Sequence, residues 1–425
     1  MRTLDRRPFL RRPWQLTVAG LAVLCLGLAA CASSSGGSSA GGGSASTIKV
    51  GQITTISGGY PFGDTVKGTQ SYFNMVNAHG GVNGHKITLV SGDDKGQPSQ
   101  AASLARQFAL QDHVVAMVGN TSLIDCITNK GFYQAEHIGV IGGGTQPLCF
   151  SQPNWDPVNA GPYVGHVVLW DYMFNVLRPT SVCEIEQNDS SSIAPYNALR
   201  AWYEQAHPGV KTHFTQITYT NDATVNPTPA VTAAKQKGCD MIELSTVAPN
   251  AVAFIKAAKS VGYNGSFICL GSCYDASVPG TLGSLGEPGA LGPKDKGFFV
   301  GAELAKIDSS NPNVQQMVQQ FKADGTPANF WSEIGWVSGM VFVKGLEQKK
   351  GADVTTSAGV LAALKAMHPV NTGFAATPLT FGPGSAHSPN KGSQMILIKG
   401  GKWVIAPNQN AGQFMTVPPL PTLPS

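Results

Sequence analysis

The sequence is short of charge. Only 13% of its 425 residues are Asp, Glu, Lys or Arg, against 42% hydrophobic residues. That excludes a coiled coil, an array of charged helices and a highly charged disordered chain. Catalytic signatures are lacking too. From residue 47 onward there is no G-x-S-x-G elbow, P-loop, H-E-x-x-H or G-x-G-x-x-G, which argues against a hydrolase, a nucleotide enzyme or a dehydrogenase. No two cysteines form a C-x-x-C pair, and none of the nine histidines stands at a ligand spacing beside one, so a zinc site is not expected. His79, His85, His113, His137, His207 and His213 scatter near turns and helix ends and read as solvated. No catalytic residue, metal or cofactor is expected.

The net charge of +4 hints at an acidic partner until it is located. Arg2, Arg6, Arg7, Arg11 and Arg12 against Asp5 account for all of it, and the later chain holds 24 of the 29 basic and 24 of the 25 acidic residues. Nucleic acid is therefore not an expected partner. After the basic stretch, residues 16–30 carry no charge, but fifteen residues fall short of the roughly 20 that span a bilayer. The segment reads as an export signal, residues 1–30. Its end, Leu28-Ala29-Ala30-Cys31, resembles a bacterial lipobox, which implies that Cys31 is lipidated and begins the mature chain. Residues 32–46 contain only Ala, Ser and Gly, so 31–47 reads as a lipid anchor followed by a flexible tether, with a reach of roughly 20 Å. Arg6-Arg7-Pro8-Phe9-Leu10-Arg11 resembles a twin-arginine signal, with Asp5 where Ser or Thr is usual, and the general secretory route stays open.

The body alternates short apolar runs with longer amphipathic ones. Strands are expected at 48–53, 87–91, 114–118 and 138–141, with helices at 65–78, 98–111 and 125–136 between them. From Tyr163 the pattern restarts. Helices at 163–176, 196–206, 228–237 and 249–261 alternate with strands at 181–186, 212–219, 241–244 and 266–270. Such repetition predicts an α/β fold of parallel sheets wrapped by helices, occurring twice. Phe330-Trp331-Ser332-Glu333-Ile334-Gly335-Trp336 reads as the core-facing start of a long helix, and the proline-rich end as extended and disordered.

Several segments resemble the leucine/isoleucine/valine-type (type I) periplasmic solute-binding proteins of ABC importers. They are Ile48-Lys49-Val50-Gly51, Phe62-Gly63-Asp64, the stretch Ala78-His79-Gly80-Gly81-Val82-Asn83-Gly84-His85-Lys86-Ile87, Asp93-Asp94 with Pro98, Gly271, and Thr380-Phe381-Gly382 with Gly400-Gly401-Lys402. The resemblance covers nearly all of 48–405. It implies two Rossmann-like lobes joined by three hinge crossovers, with a ligand trapped between them. The lobes are expected at 48–158 plus 305–390 and at 159–304 plus 391–410, with a tail at 411–425.

In open parallel sheets, ligands bind beyond the carboxyl ends of the strands. The loops expected there in the first lobe are small and polar: Gly119-Asn120-Thr121-Ser122 and Gly142-Gly143-Gly144-Thr145. Glycines admit a ligand close to main-chain N–H groups, and hydroxyls on Thr121, Ser122 and Thr145 add hydrogen bonds. By the resemblance, Gly143 and Thr145 hold a ligand carboxylate, with Gly144 between them. Leu123 falls on the other hydroxyl position with Ser122 beside it, and Phe62 covers the ligand, with Tyr60 close by. The second lobe offers Ser191, Thr246, Val247 and Ser272. Ser272 stands where amino-acid binders of the family place an acid to meet the ligand's ammonium group, and the nearest carboxylate is Asp275. Either the ligand lacks an α-ammonium group or Asp275 reaches it.

Removing Cys25 with the signal and Cys31 with the lipid leaves six cysteines, an even number that suits an exported chain. Cys126–Cys149 ranks first, at one sheet edge. Cys269 and Cys273 bracket the Ser272 loop. Cys183 and Cys239 come last, as a pair or as buried thiols. The expected function is a lipid-anchored extracytoplasmic substrate-binding subunit, monomeric, that captures a branched-chain amino acid or related carboxylate or amide for an ABC permease. A surface ligand sensor is the alternative, and an amide hydrolase the third choice.

Overall fold

The computed structural model describes residues 47–57, 61–188, 190–210, 214–219, 226–286, 297–384, 387 and 390–424. The expected signal, Cys31 and the tether lie outside these residues, as do Tyr60 and the side chain of Ser191.

The first sheet contains β1 (Ile48–Thr54), β2 (Ile87–Asp93), β3 (Ala116–Thr121), β4 (Val140–Gly143) and β5 (Trp155–Pro157). They lie in the order β2-β1-β3-β4-β5, all parallel. Helices α1 (Asp64–Ala78), α2 (Pro98–Arg106) and α3 (Asp125–Ala135) make the crossovers. A parallel sheet needs cover on both faces, which is why β3 and β4 are buried throughout. Pro98 sits at the first position of α2, where its missing N–H costs nothing.

The second sheet repeats the pattern. After α4 (Gly161–Tyr172) come β6 (Val182–Gln187), α5 (Ser190–Ala206), β7 (Phe214–Tyr219), α6 (Thr228–Gln236), β8 (Met241–Leu244), α7 (Ala248–Val261), β9 (Ser266–Cys269), α8 (Val278–Ser284) and β10 (Phe298–Ala302). The parallel order β7-β6-β8-β9-β10 reproduces that of the first sheet. The chain then forms α9 (Pro312–Asp324), α10 (Phe330–Glu347) and α11 (Ser357–Lys365), with α10 packed on α1, β3 and β4 of the first lobe. It returns to the second sheet as β11 (Gly392–Lys399) and β12 (Lys402–Ile405), both antiparallel. The fold is thus two doubly wound α/β lobes joined by three crossovers, as the periodicity and the resemblance imply.

The structure departs from expectation in several places. The 119–122 segment is not simply a loop: β3 continues through Thr121, pairing Asn120 with Gly142 and Thr121 with Gly143. Gly119 takes φ +86° at the irregularity, and Asn120 Oδ1 accepts Ile53 N–H at 3.1 Å, a side chain standing in for a strand carbonyl. The helices at 98–111 and 163–176 both end in a π turn, Gln107–Gln111 and Met173–Leu177.

The proline-rich tail is ordered, contrary to expectation. A short strand β13 (Met415–Thr416) pairs with β11, Val417 N–H donates to Lys391 O at 3.0 Å, and Leu420 and Leu423 pack on the second lobe's core. The prolines favour a threefold extended helix, in which leucines three apart share one face and can dock.

All three cysteine pairs are bridged, with Cα–Cα distances of 5.5 Å for Cys126–Cys149, 5.7 Å for Cys183–Cys239 and 6.1 Å for Cys269–Cys273. No helix among the described residues is long and apolar enough to cross a membrane.

Candidate functional site

Because both sheets follow the same order, the carboxyl ends of ten parallel strands supply two sets of loops. These loops line a half-open cavity of about 130 Å³. Gly143, Gly144, Thr145 and Leu123 line it from the first lobe, and Glu186, Gln187, Ser245, Thr246 and Val247 from the second. A space of this scale holds one small ring or a short branched chain.

The first-lobe wall is more tightly built than a flexible glycine loop. A Cβ on Gly142 would lie 2.0 Å from Asn120 O, and one on Gly144 would lie 2.4 Å from the Phe150 ring. Close packing therefore demands glycine there, whatever the ligand. The Thr145 hydroxyl donates to Ser122 O at 2.8 Å. Phe62 and Trp331 cover this end, their ring centroids 4.4 Å apart.

Each crossover contributes to a buried polar junction beside the cavity. Asn159, after β5, accepts Gly144 N–H at 2.8 Å and donates to Gly144 O at 3.2 Å and to Glu303 Oε2 at 3.1 Å. Glu303, after β10, also accepts Gly161 N–H at 2.7 Å, and its own carbonyl accepts Asn390 Nδ2 at 2.8 Å. Burial pushes the Glu303 carboxyl up to about 7, and the bonds from Gly161 and Asn159 oppose the rise.

Glu186 lines the second-lobe wall, and Glu184 and Glu243 are buried outside the lining. Glu184 accepts Tyr196 OH and Arg200 Nη1, and Glu243 accepts Trp170 Nε1 at 2.8 Å. His166 Nδ1 and Glu243 Oε1 share a 2.7 Å hydrogen bond. Burial pushes Glu184, Glu186 and Glu243 each up to about 8 and pulls His166 down to about 4, which favours the uncharged forms. Glu186 is 4% exposed, and its Oε1 has no hydrogen-bond partner.

Of the residues expected at the site, Phe62, Gly143, Gly144, Thr145, Thr246, Val247 and Ser272 line the cavity. Thr121, Ser122 and Asp275 do not. The Thr121 hydroxyl turns back to Gly119 O, and Ser122 Oγ donates to Asp94 and accepts the Ile124 and Asp125 N–H groups that open α3. Asp275 accepts Ser277 N–H at 2.7 Å and Ser277 Oγ at 2.6 Å, closing a local turn. Asp93 and Asp94 likewise staple loops, accepting from Ile56, Ser57 and Lys95 and from Thr55 and Gly96 respectively. Sequence reasoning missed Glu186, Glu303, His166 and Asn159. Glu186 carries a signal in retrospect: it is charged, yet it sits at the end of an otherwise buried parallel strand. Phe330, Trp331 and Ile334 begin a long helix as expected, and they also line the cavity.

Two α/β lobes closing on a small cavity at their strand ends define a ligand-binding protein of the two-lobed kind. The chain belongs to the periplasmic binding protein family, whose model matches residues 47–402. It is similar to an amino acid binding protein of Pseudomonas aeruginosa, 26% identical over 211 residues, which are 48% of this chain and about half (54%) of that relative's length. Among solved structures it is similar to a possible leucine/isoleucine/valine-binding protein from Rhodopirellula baltica, with TM-score 0.70, 20% identity and coverage of 85% of this chain and 96% of that one. It is also similar to a fatty acid ABC transporter substrate-binding protein from Thermomonospora curvata, with TM-score 0.69, 19% identity and coverage of 88% and 93%.

Proposed function

We propose that the chain is the solute-capturing subunit of an ABC importer, held at the outer face of the cell membrane by lipid on Cys31. The observation that carries the reading is the cavity wall: it is built from strand ends of both lobes, so a bound solute touches both and favours the closed arrangement. The solute is small and bears a carboxylate, which the glycine-rich 143–145 loop would receive, while Phe62, Leu123, Phe330 and Ile334 surround its apolar part. Nothing is chemically transformed, and the closed form docks on the membrane permease. Family membership, the relatives' amino acid and fatty acid names, and the lipobox-like 28–31 segment support the reading.

A thermal-shift screen of small carboxylic acids, followed by solution scattering, tests it. The expected result is a raised Tm for at least one acid, together with a smaller radius of gyration. A raised Tm with unchanged dimensions would remove the closure mechanism.

A further inference from the structure

We propose that a second cavity, walled in part by the C-terminal tail, binds a single-chain amphiphile with an acidic head group, and that its occupation favours the same lobe arrangement as the solute does. The binding stands apart from the capture reading, and only the coupling rests on it.

This half-open cavity measures about 840 Å³, against about 130 Å³ for the solute cavity. Small-molecule sites span roughly 300–1,000 Å³. Four segments wall it. The 147–151 turn and the 377–384 segment come from the first lobe, residues 160–164 at the start of α4 from the second, and residues 418–423 from the tail. The tail is held in place where β13 pairs with β11 and Val417 N–H donates to Lys391 O at 3.0 Å. Six lining residues are proline, and Leu148, Phe150, Phe381, Leu420 and Leu423 add apolar surface. Fixed φ angles at the prolines make the walls stiff, so an apolar guest orders little of the chain on entry.

The charge at this cavity has one sign. Lys391 lines it, and no carboxylate does among the described residues. Nor does Lys391 form an ion pair with any described residue. His387 adds no charge, because its Nδ1 donates to Trp155 O at 2.8 Å and burial pulls its pKa down. Lys391 is exposed, so an anionic head group meets it at the solvent edge while the chain lies within. A cationic head group is repelled there.

Phe150 joins the two cavities. It lines the second, and a Cβ on Gly144 or Gly161 would lie only 2.4 or 2.3 Å from its ring. Gly144 lines the solute cavity, and Tyr163 lines both. Each cavity takes walls from both lobes, and the two exist together in one lobe arrangement. A ligand in either one therefore favours that arrangement and raises affinity in the other.

The test titrates the full chain with decanoate and with decylammonium, both below their micellar concentrations, by calorimetry. Decanoate should bind about tenfold tighter, and Lys391→Gln should bring the two within about threefold. Ending the chain at Val417 keeps β13 but removes the tail's wall, and should weaken decanoate at least about tenfold. Should that chain fail to fold, Ser151→Trp, which puts a bulky ring into the lining, should give the same loss. Phe62→Ala, in the solute cavity, should change decanoate affinity less than about threefold. Saturating decanoate should tighten the best small acid at least about threefold, and that acid should tighten decanoate by the same factor. Decanoate binding that survives the truncation and falls with Phe62→Ala would put the chain in the solute cavity and overturn the second site. Equally tight decylammonium would overturn the acidic class. No binding of decanoate would overturn the site and leave solute capture intact. Failure of every small acid would sink capture and the coupling, while decanoate alone still decides the site.

Discussion

Asn159 Nδ2 donates to Glu303 Oε2 at 3.1 Å, joining the crossover that leaves β5 to the one that leaves β10. Asn159 also grips both polar groups of Gly144, so the cavity-lining loop and two of the crossovers between the lobes share one side chain. The position of that loop and the geometry of the crossovers are therefore tied together.

Asn159→Ala should destabilise the chain and weaken solute binding together. It leaves Gly144 N–H without its buried partner, at about 1–3 kcal/mol, and removes one of the two donors to Glu303 Oε2, which keeps Gly161 N–H. Urea unfolding should show a lower midpoint with an unchanged slope, and calorimetry with the best-binding acid should show reduced affinity. A variant of native stability would refute the junction's importance.

Asp275→Asn should leave solute affinity within about threefold of wild type, since Asp275 is occupied with Ser277 outside the cavity. Titration calorimetry decides the point. A large loss would restore Asp275 as a solute partner.

Alkaline pH should weaken the fold. Glu184, Glu186 and Glu243 have folded pKa values near 8, raised from 4.5, and Glu303 near 7. The native state thus binds more protons than the unfolded chain from about pH 4.5 upward, and unfolding free energy falls as pH rises toward 8. His166, lowered from 6.5 to about 4, opposes this only below pH 6.5. From pH 6.5 to 9 the cluster should cost roughly 2–5 kcal/mol in total, because coupled groups do not add. Melting curves across that range should decline, and Glu186→Gln should flatten them.

Reduction of the disulfides should act in order of loop length. The bridged cysteines are 56, 23 and 4 residues apart for Cys183–Cys239, Cys126–Cys149 and Cys269–Cys273. Chain-entropy arguments assign them about 4, 3 and 2 kcal/mol. Paired Cys→Ala variants should lower Tm in that order, with peptide mapping of the intact protein confirming the pairs.

Phe62→Ala should weaken binding of the best acid by about tenfold through loss of the cover over the cavity. Trp331→Phe should remove most of the tryptophan fluorescence change on binding. An unchanged signal would place the response in another tryptophan.

Most of the fold was legible in the sequence because local periodicity encodes it. The strand expected at 241–244 and the helix at 249–261 match Met241–Leu244 and Ala248–Val261 almost residue for residue, since each is one buried or amphipathic run. The tail was misread because composition weighs the prolines and ignores that Leu420 and Leu423 share a face.

The site was only half legible. The glycine loop and Phe62 stand out locally, but whether a hydroxyl or carboxylate is available depends on distant partners. Ser122 is taken by Asp94 and the start of α3, Ser272 by Thr246, and Asp275 by Ser277. The even balance of basic and acidic residues beyond the first thirty argued against an electrostatic nucleic-acid binder, and the apolar rhythm determined two α/β lobes. Only the tertiary structure decided which few charges matter. It buried Glu186 in the cavity and tied Glu303 to Asn159, 144 positions away, because hydrogen bonds are made between neighbours in space and sequence patterns record only neighbours along the chain.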